Sequence, residues 1–204
     1  MTGDGRPTRL VIGMTGSAPP AHGLRLLEVL RDSPVESHLV VSPTAREALR
    51  RREGLDRQDL RDLADHLYDE RNQAARISSG SYLTEGMIIA PCGMTTVAAI
   101  AGGIADNLIR RTADVTLKEG RQLVVLLQES PLSPIQVDAL RRTARAGVIV
   151  ATTQTEDPPG EAGEPVDRTA RRLLGYFEAL RPLLPTTPPP PGPDVDDGSG
   201  TLLG

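Results

Sequence analysis

Five short apolar runs, separated by stretches with helical spacing, constrain this chain more than any other feature. The runs are RLVIGMTG (9–16), SHLVVS (37–42), GMIIAPCG (86–93), QLVVLL (122–127) and GVIVAT (147–152). They are rich in Val, Ile and Leu and hardly alternate with polar residues, as a strand covered on both faces requires. Helices are expected at AHGLRLLEVLRD (21–32), PTAREALRRREG (43–54), DRQDLRDLADHLYD (56–69), TTVAAIAGGIADNLIRR (95–111), SPIQVDALRRTAR (133–145) and 167–181. Pro43 suits a first helical turn. Asp56 suits an N-cap ahead of the spaced Leu60, Leu63 and Leu67. Alternating βα units of this kind imply an α/β fold, a three-layer parallel sheet with helices on both faces.

The 204 residues suit one domain with trimmings. A flexible N-terminus is expected over 1–8, the folded domain over 9–181, and a Pro/Gly-rich disordered tail over 182–204. TQTEDPPGEAGEP (153–165) reads as a mobile loop for the same compositional reason. A net charge of −4 opposes non-specific nucleic-acid binding, which needs a basic face. No apolar run is long enough to cross a bilayer, and MTGDGRPTR lacks an apolar signal core. The lone Cys92 excludes an internal disulfide and fits a reducing compartment, so a cytoplasmic location is expected.

In parallel α/β sheets ligands gather where strands end. Here those ends read TGSAPPAHG, SPTA, PCGMTT and QESPLS. Gly13, Gly16 and Gly23 frame a turn that either binds an anion or simply packs, and Pro19 and Pro20 remove two of its donors. Ser42 and Thr44 suit either a helix cap or a phosphate contact. Cys92 reads as a packing residue, because no histidine stands near it. His22, His38 and His66 fall in separate segments without metal-ligand spacing, so no metal site is expected. Lys118 and Glu129 bracket the run 122–127. They form either an ion pair at a sheet rim, or a proton-transferring carboxylate beside a phosphate-binding lysine.

RLVIGMTG, ISSGSYLTEGMIIAPCGMTT and NLIRRTADVTLKEGRQLVVLLQESPLS together resemble the flavin prenyltransferases of the UbiX type, relatives of the flavin-containing cysteine decarboxylases. The resemblance runs from about Arg9 to Val150. Its most specific part is N-L-I-x-R-x-A-D-V-x-L-K-E, Asn107 to Glu119. It implies a flavodoxin/Rossmann-like subunit, assembled as trimers and then a dodecamer, with FMN between subunits. The implied reaction transfers a dimethylallyl group from dimethylallyl phosphate to reduced FMN without a metal. The prenylated FMN then serves a UbiD-type decarboxylase.

By this resemblance Glu129 and Lys118 are catalytic residues, Glu129 as acid/base and Lys118 on the substrate phosphate. Gln128 and Arg171 stand at the other phosphate positions. Thr15, Gly16, Ser17, Ala18, Ser42, Thr44, Thr95, Thr96 and Arg111 stand at the flavin. The chain departs from the family at several points. T-G-A-S-G reads T-G-S-A-P, P-R-E reads L-Q-E at Leu127–Glu129, and P-C-S reads P-C-G. The C-terminal F-Y-H motif is replaced by TEDPPGEAGEP. Two alternatives therefore stand beside prenyl transfer: an FMN-binding homologue without the activity, and a cysteine-decarboxylase-like enzyme.

Overall fold

Each apolar run forms a strand in the computed structural model, which describes residues 6–16, 18–153 and 165–185. The strands are β1 (Arg9–Met14), β2 (Glu36–Val41), β4 (Gly86–Ile89), β5 (Gln122–Leu127) and β6 (Ile149–Thr152). A further strand, β3 (His66–Asp69), lies inside the segment expected to be helical to 69. All pair in parallel, in the order β3-β2-β1-β4-β5-β6. Without β3 the remaining five run in flavodoxin order, and the edge strand completes the Rossmann order. The expected three-layer fold is thus the observed one. Most of the expected N-terminal segment, 153–165 loop and tail, together with Ser17, lies outside the described residues.

Helices α1 (Ala21–Arg31), α2 (Pro43–Glu53), α3 (Arg57–Leu63) and α7 (Pro165–Gly175) cover one face. Helices α4 (Met94–Ala101), α5 (Leu108–Lys118) and α6 (Pro134–Arg145) cover the other. Strand alternation divides the core accordingly. Leu10, Ile12 and Met14 of β1 meet α1 residues such as Leu26 and Leu30, while Val11 joins Ile89, Val97 and Ile109 on the opposite face. Among the described residues, no helix is long and apolar enough to cross a membrane.

Three helical expectations are corrected. The segment 56–69 stops being helical after Leu63, although Asp56 does cap it with a full capping box. Asp65 then accepts hydrogen bonds from the backbone N–H (2.7 Å) and hydroxyl (2.8 Å) of Ser37, and its own N–H donates back to the Ser37 hydroxyl at 3.0 Å. That clasp holds the chain extended against β2, and tertiary pairing overrides the leucine spacing. The segment 95–111 is two helices. Gly102 and Gly103, the latter at φ 68°, end α4, and the Asn107 side chain starts α5 by accepting from the Arg110 N–H at 2.9 Å. Finally, 167–181 divides into α7 and a 3-10 turn over Glu178–Leu183, which crosses the expected tail boundary.

Gly86 opens β4 at φ 145°, and a Cβ there would collide with the Gln122 carbonyl oxygen and the Phe177 ring. Only glycine lets β4 and β5 approach this closely at that dihedral. Gly86→Ala combines backbone strain with overpacking and is expected to cost roughly 2–5 kcal/mol. Thermal unfolding followed by circular dichroism checks this. A fall in Tm of about 5–15 °C is expected for a chain of this size, and an unchanged Tm refutes the assignment.

Candidate active site

A cleft of about 920 Å³ opens at the carboxyl ends of β1, β2, β4 and β5. It lies where chain connections leave β1 and β4 toward opposite faces, the point at which doubly wound sheets hold ligands. Thr15 follows β1 and fastens two of its walls together. Its N–H donates to the Pro91 carbonyl at 2.9 Å, and its hydroxyl accepts from the Gly93 N–H at 2.9 Å. Gly16, at φ 81°, faces Gly93 so closely that a Cβ there would sit 3.2 Å from the Gly93 Cα. The P-C-G sequence is therefore matched to its neighbour, because a side chain at position 93 would press on the Gly16 backbone.

Ser42 both lines the cleft and caps α2, accepting from the Ala45 N–H at 3.1 Å. Thr44 lines the cleft beside it, and Thr95 and Thr96 line it from the first turn of α4. No side chain caps that turn, and no acidic residue stands in it. An uncapped helix start aimed at a cleft favours an anionic group.

Gln128 and Glu129 follow β5. Glu129 is exposed at the cleft and accepts a hydrogen bond from the Gln136 side chain of α6 at 2.8 Å. Gln128 pairs its amide nitrogen with His22 Nδ1 at 2.8 Å, while its buried carbonyl oxygen has no hydrogen-bond partner among the described residues. Burial lowers the pKa of His22, which favours the neutral ring.

Thr15, Gly16, Ala18, Ser42, Thr44, Thr95, Thr96, Gln128 and Glu129 are thus gathered in one cleft. Ser17 lies outside the described residues. Three other expected residues stand elsewhere in this subunit. Arg111 pairs with Asp114 at 3.1 Å, and Lys118 pairs with Glu119 at 3.1 Å at the end of α5. Arg171 donates to Asp167 at 2.8 Å and to the Pro185 carbonyl at 3.0 Å. Lys118 lies just before β5 and Glu129 just after it, so a strand of about 20 Å separates them within one chain.

Two charged groups stand out among the cleft residues that were not foreseen from the sequence. Arg110, next to the family-matched Arg111, lines the cleft, holds Asp106 at 2.8 Å and keeps a buried Nε without a partner among the described residues. Glu70 follows the unforeseen β3, and its burial raises its pKa against the nearby charges of Arg110 and Arg46. The only advance signal for either was the Asn107 cap, which sets the rotation of α5.

Cys92 also borders the cleft, but it is 3% exposed and burial pushes its thiol up to about 12. Such a thiol is no nucleophile. Iodoacetamide at mildly alkaline pH is expected to label the folded protein at least about 100-fold more slowly than the urea-unfolded chain. Comparable rates, read by mass spectrometry, would show a reactive cysteine instead.

A family model described as Flavoprotein matches residues 2–159. A probable UbiX-like flavin prenyltransferase of Bacillus subtilis is 41% identical over 175 residues, covering 85% of this chain and 86% of that protein. The dodecameric FMN-dependent UbiX-like decarboxylase of Escherichia coli O157:H7 superimposes with a TM-score of 0.78 at 40% identity, over 83% of this chain and 94% of that one. AnUbiX (PadA1), crystallised with FMN and dimethylallyl pyrophosphate, gives 0.79 at 37% identity, over 84% and 93%. With this fold, this cleft and these relatives, the chain belongs to the UbiX-like flavin prenyltransferase family of flavoproteins.

Proposed function

We propose that this protein transfers a dimethylallyl group from dimethylallyl phosphate to reduced FMN. The observation that carries this reading is the meeting of Glu129 with the Thr15, Ser42 and Thr95–Thr96 walls in one cleft. Its volume falls within the range of cofactor pockets, roughly 300–1,000 Å³. The partnerless Nε of Arg110 and carbonyl oxygen of Gln128 leave a donor and an acceptor for a polar ligand. When bound, reduced FMN supplies the electron-rich ring that takes up the five-carbon unit. Ser42, Thr95, Thr96 and the start of α4 would hold its polar groups, with Gly16 allowing close approach of the backbone. Glu129, oriented by Gln136, accepts and returns a proton at its free oxygen.

The subunit arrangement belongs to the same proposal. Because Lys118 stands a strand's length from Glu129, the phosphate-binding lysine of each site comes from a neighbouring copy, as does Arg111. An assembly like the E. coli relative's dodecamer supplies such neighbours. The prenylated product passes to a UbiD-type decarboxylase, and the reaction takes place in the cytoplasm.

Anaerobic incubation with reduced FMN and dimethylallyl phosphate tests the activity, and mass spectrometry of the released flavin reads it. An added C5H8 unit supports the proposal; unmodified, tightly bound FMN overturns it. A parallel incubation with the diphosphate decides between donors. The engagement of Gln128 with His22, at the position of the family's phosphate-binding arginine, favours one second reading, an FMN-binding protein without transferase activity. Unmodified FMN with both donors is its signature.

A further inference from the structure

At the end of the sheet opposite the cleft, β2 and β3 bring together residues that the sequence keeps apart. His38 and His66 are direct partners in the parallel register, and their rings stack at 4.7 Å between centroids. Both direct Nε2 at one carboxylate oxygen. Glu36 Oε1 lies 2.7 Å from His66 Nε2 and 3.3 Å from His38 Nε2. Among the described residues, this is the one group of three or more His, Cys, Asp or Glu side chains whose donor atoms converge, all within 4.8 Å of one another.

We infer that Glu36, His38 and His66 form a site for a divalent cation of the zinc class, separate from the flavin cleft. Zinc bonds of about 2.0–2.1 Å in tetrahedral geometry set ligand atoms about 3.3 Å apart. The Glu36–His38 spacing of 3.3 Å already has that value, and the Glu36–His66 contact of 2.7 Å needs to open by about 0.6 Å. Two imidazoles and one carboxylate suit zinc, with cobalt as its spectroscopic substitute, better than they suit calcium or magnesium.

Surrounding groups already orient the donors as metal sites require. His38 Nδ1 lies 2.9 Å from the Tyr68 hydroxyl, a partner that leaves Nε2 to face the cation. Arg9 Nε donates to the other oxygen of Glu36 at 3.1 Å, leaving Oε1 as the ligand atom. Tyr82 places its hydroxyl 3.3 Å from His38 Nε2, beside the fourth position, which falls to that hydroxyl or to water. His38 is fully buried and therefore fixed, whereas His66 retains 39% side-chain exposure, which provides an entry path. The cluster joins the edge strand β3 to β2 at their amino ends, so a bound cation would fasten the edge of the sheet.

The test uses the full chain, stripped with EDTA, desalted, and titrated with zinc chloride or cobalt chloride alone. One zinc per chain is expected to survive gel filtration and be counted by mass spectrometry. Cobalt is expected to give the intense visible bands of four-coordinate N/O ligation. His66→Ala, at an exposed edge position, should keep the circular dichroism spectrum and FMN retention while lowering metal affinity about 100-fold or more. Glu36→Gln should do the same to affinity. Should loss of the Arg9 pair unfold the Glu36 variant, His66→Ala alone decides. Equal metal uptake by wild type and His66→Ala, or no stoichiometric uptake by wild type, overturns the site.

Discussion

Glu129→Gln is expected to leave FMN binding intact and to lower formation of the C5-extended flavin by about 10²–10⁴-fold, the usual worth of a positioned acid or base. The substitution keeps size and shape, and glutamine retains a carbonyl oxygen that accepts from Gln136, a contact of 2.8 Å in the native protein. What disappears is the ability to take up and return a proton. Lys118→Ala should behave differently. On the proposed placement it removes one charge-assisted contact to the donor phosphate, worth roughly 1.5–3 kcal/mol, and so should raise KM for dimethylallyl phosphate by about 10–100-fold more than it lowers kcat. Single-turnover and steady-state assays on both variants separate the two effects. Full adduct formation by Glu129→Gln would remove the carboxylate from the mechanism.

A second large effect concerns two variants that are each impaired, assayed at dimethylallyl phosphate concentrations well below the raised KM of Lys118→Ala. Subunits carrying Glu129→Gln, co-assembled in equal amounts with subunits carrying Lys118→Ala, are expected to regain activity. If each site takes Glu129 from one copy and Lys118 from another, random mixing restores both native groups in roughly a quarter of the sites. If both came from one chain, no mixed site would contain the intact pair and activity would stay at the level of the single variants. The geometry favours recovery. Lys118 ends α5 before β5 begins, Glu129 follows the end of β5, and no bend of one subunit closes a strand of about 20 Å. Separately assembled variants mixed without subunit exchange provide the control, and they should stay at the level of the single variants.

The parts of the molecule that were legible in advance have a common character. β1, β2, β4, β5 and β6 announced themselves because a strand covered on both faces must be apolar along its whole length. β3 did not, because HLYD at a sheet edge is only half-buried and its letters fit the preceding helical spacing equally well. The division of 95–111 was written in Gly102-Gly103 and Asn107, whose capping roles compete with an uninterrupted alanine-rich pattern. In the cleft, Thr15, Ser42, Thr95 and Glu129 were foreseeable from their positions at strand ends. Glu70 was hidden with β3. Arg110 was hidden by helix geometry, since one residue of rotation, about 100°, decides whether position 110 or 111 enters the cleft.

From its sequence alone this protein had its class of fold, its family and the strand ends that carry chemistry, because those follow from local periodicity and from contiguous motifs. Only the tertiary structure decided which side chains share a space. His38 and His66 are 28 positions apart and became neighbours through the register of two strands. Lys118 and Glu129 are 11 positions apart and became distant because a rigid strand runs between them. Sequence separation measures the chain, whereas the pairing of strands sets the distances over which ligands and protons are held.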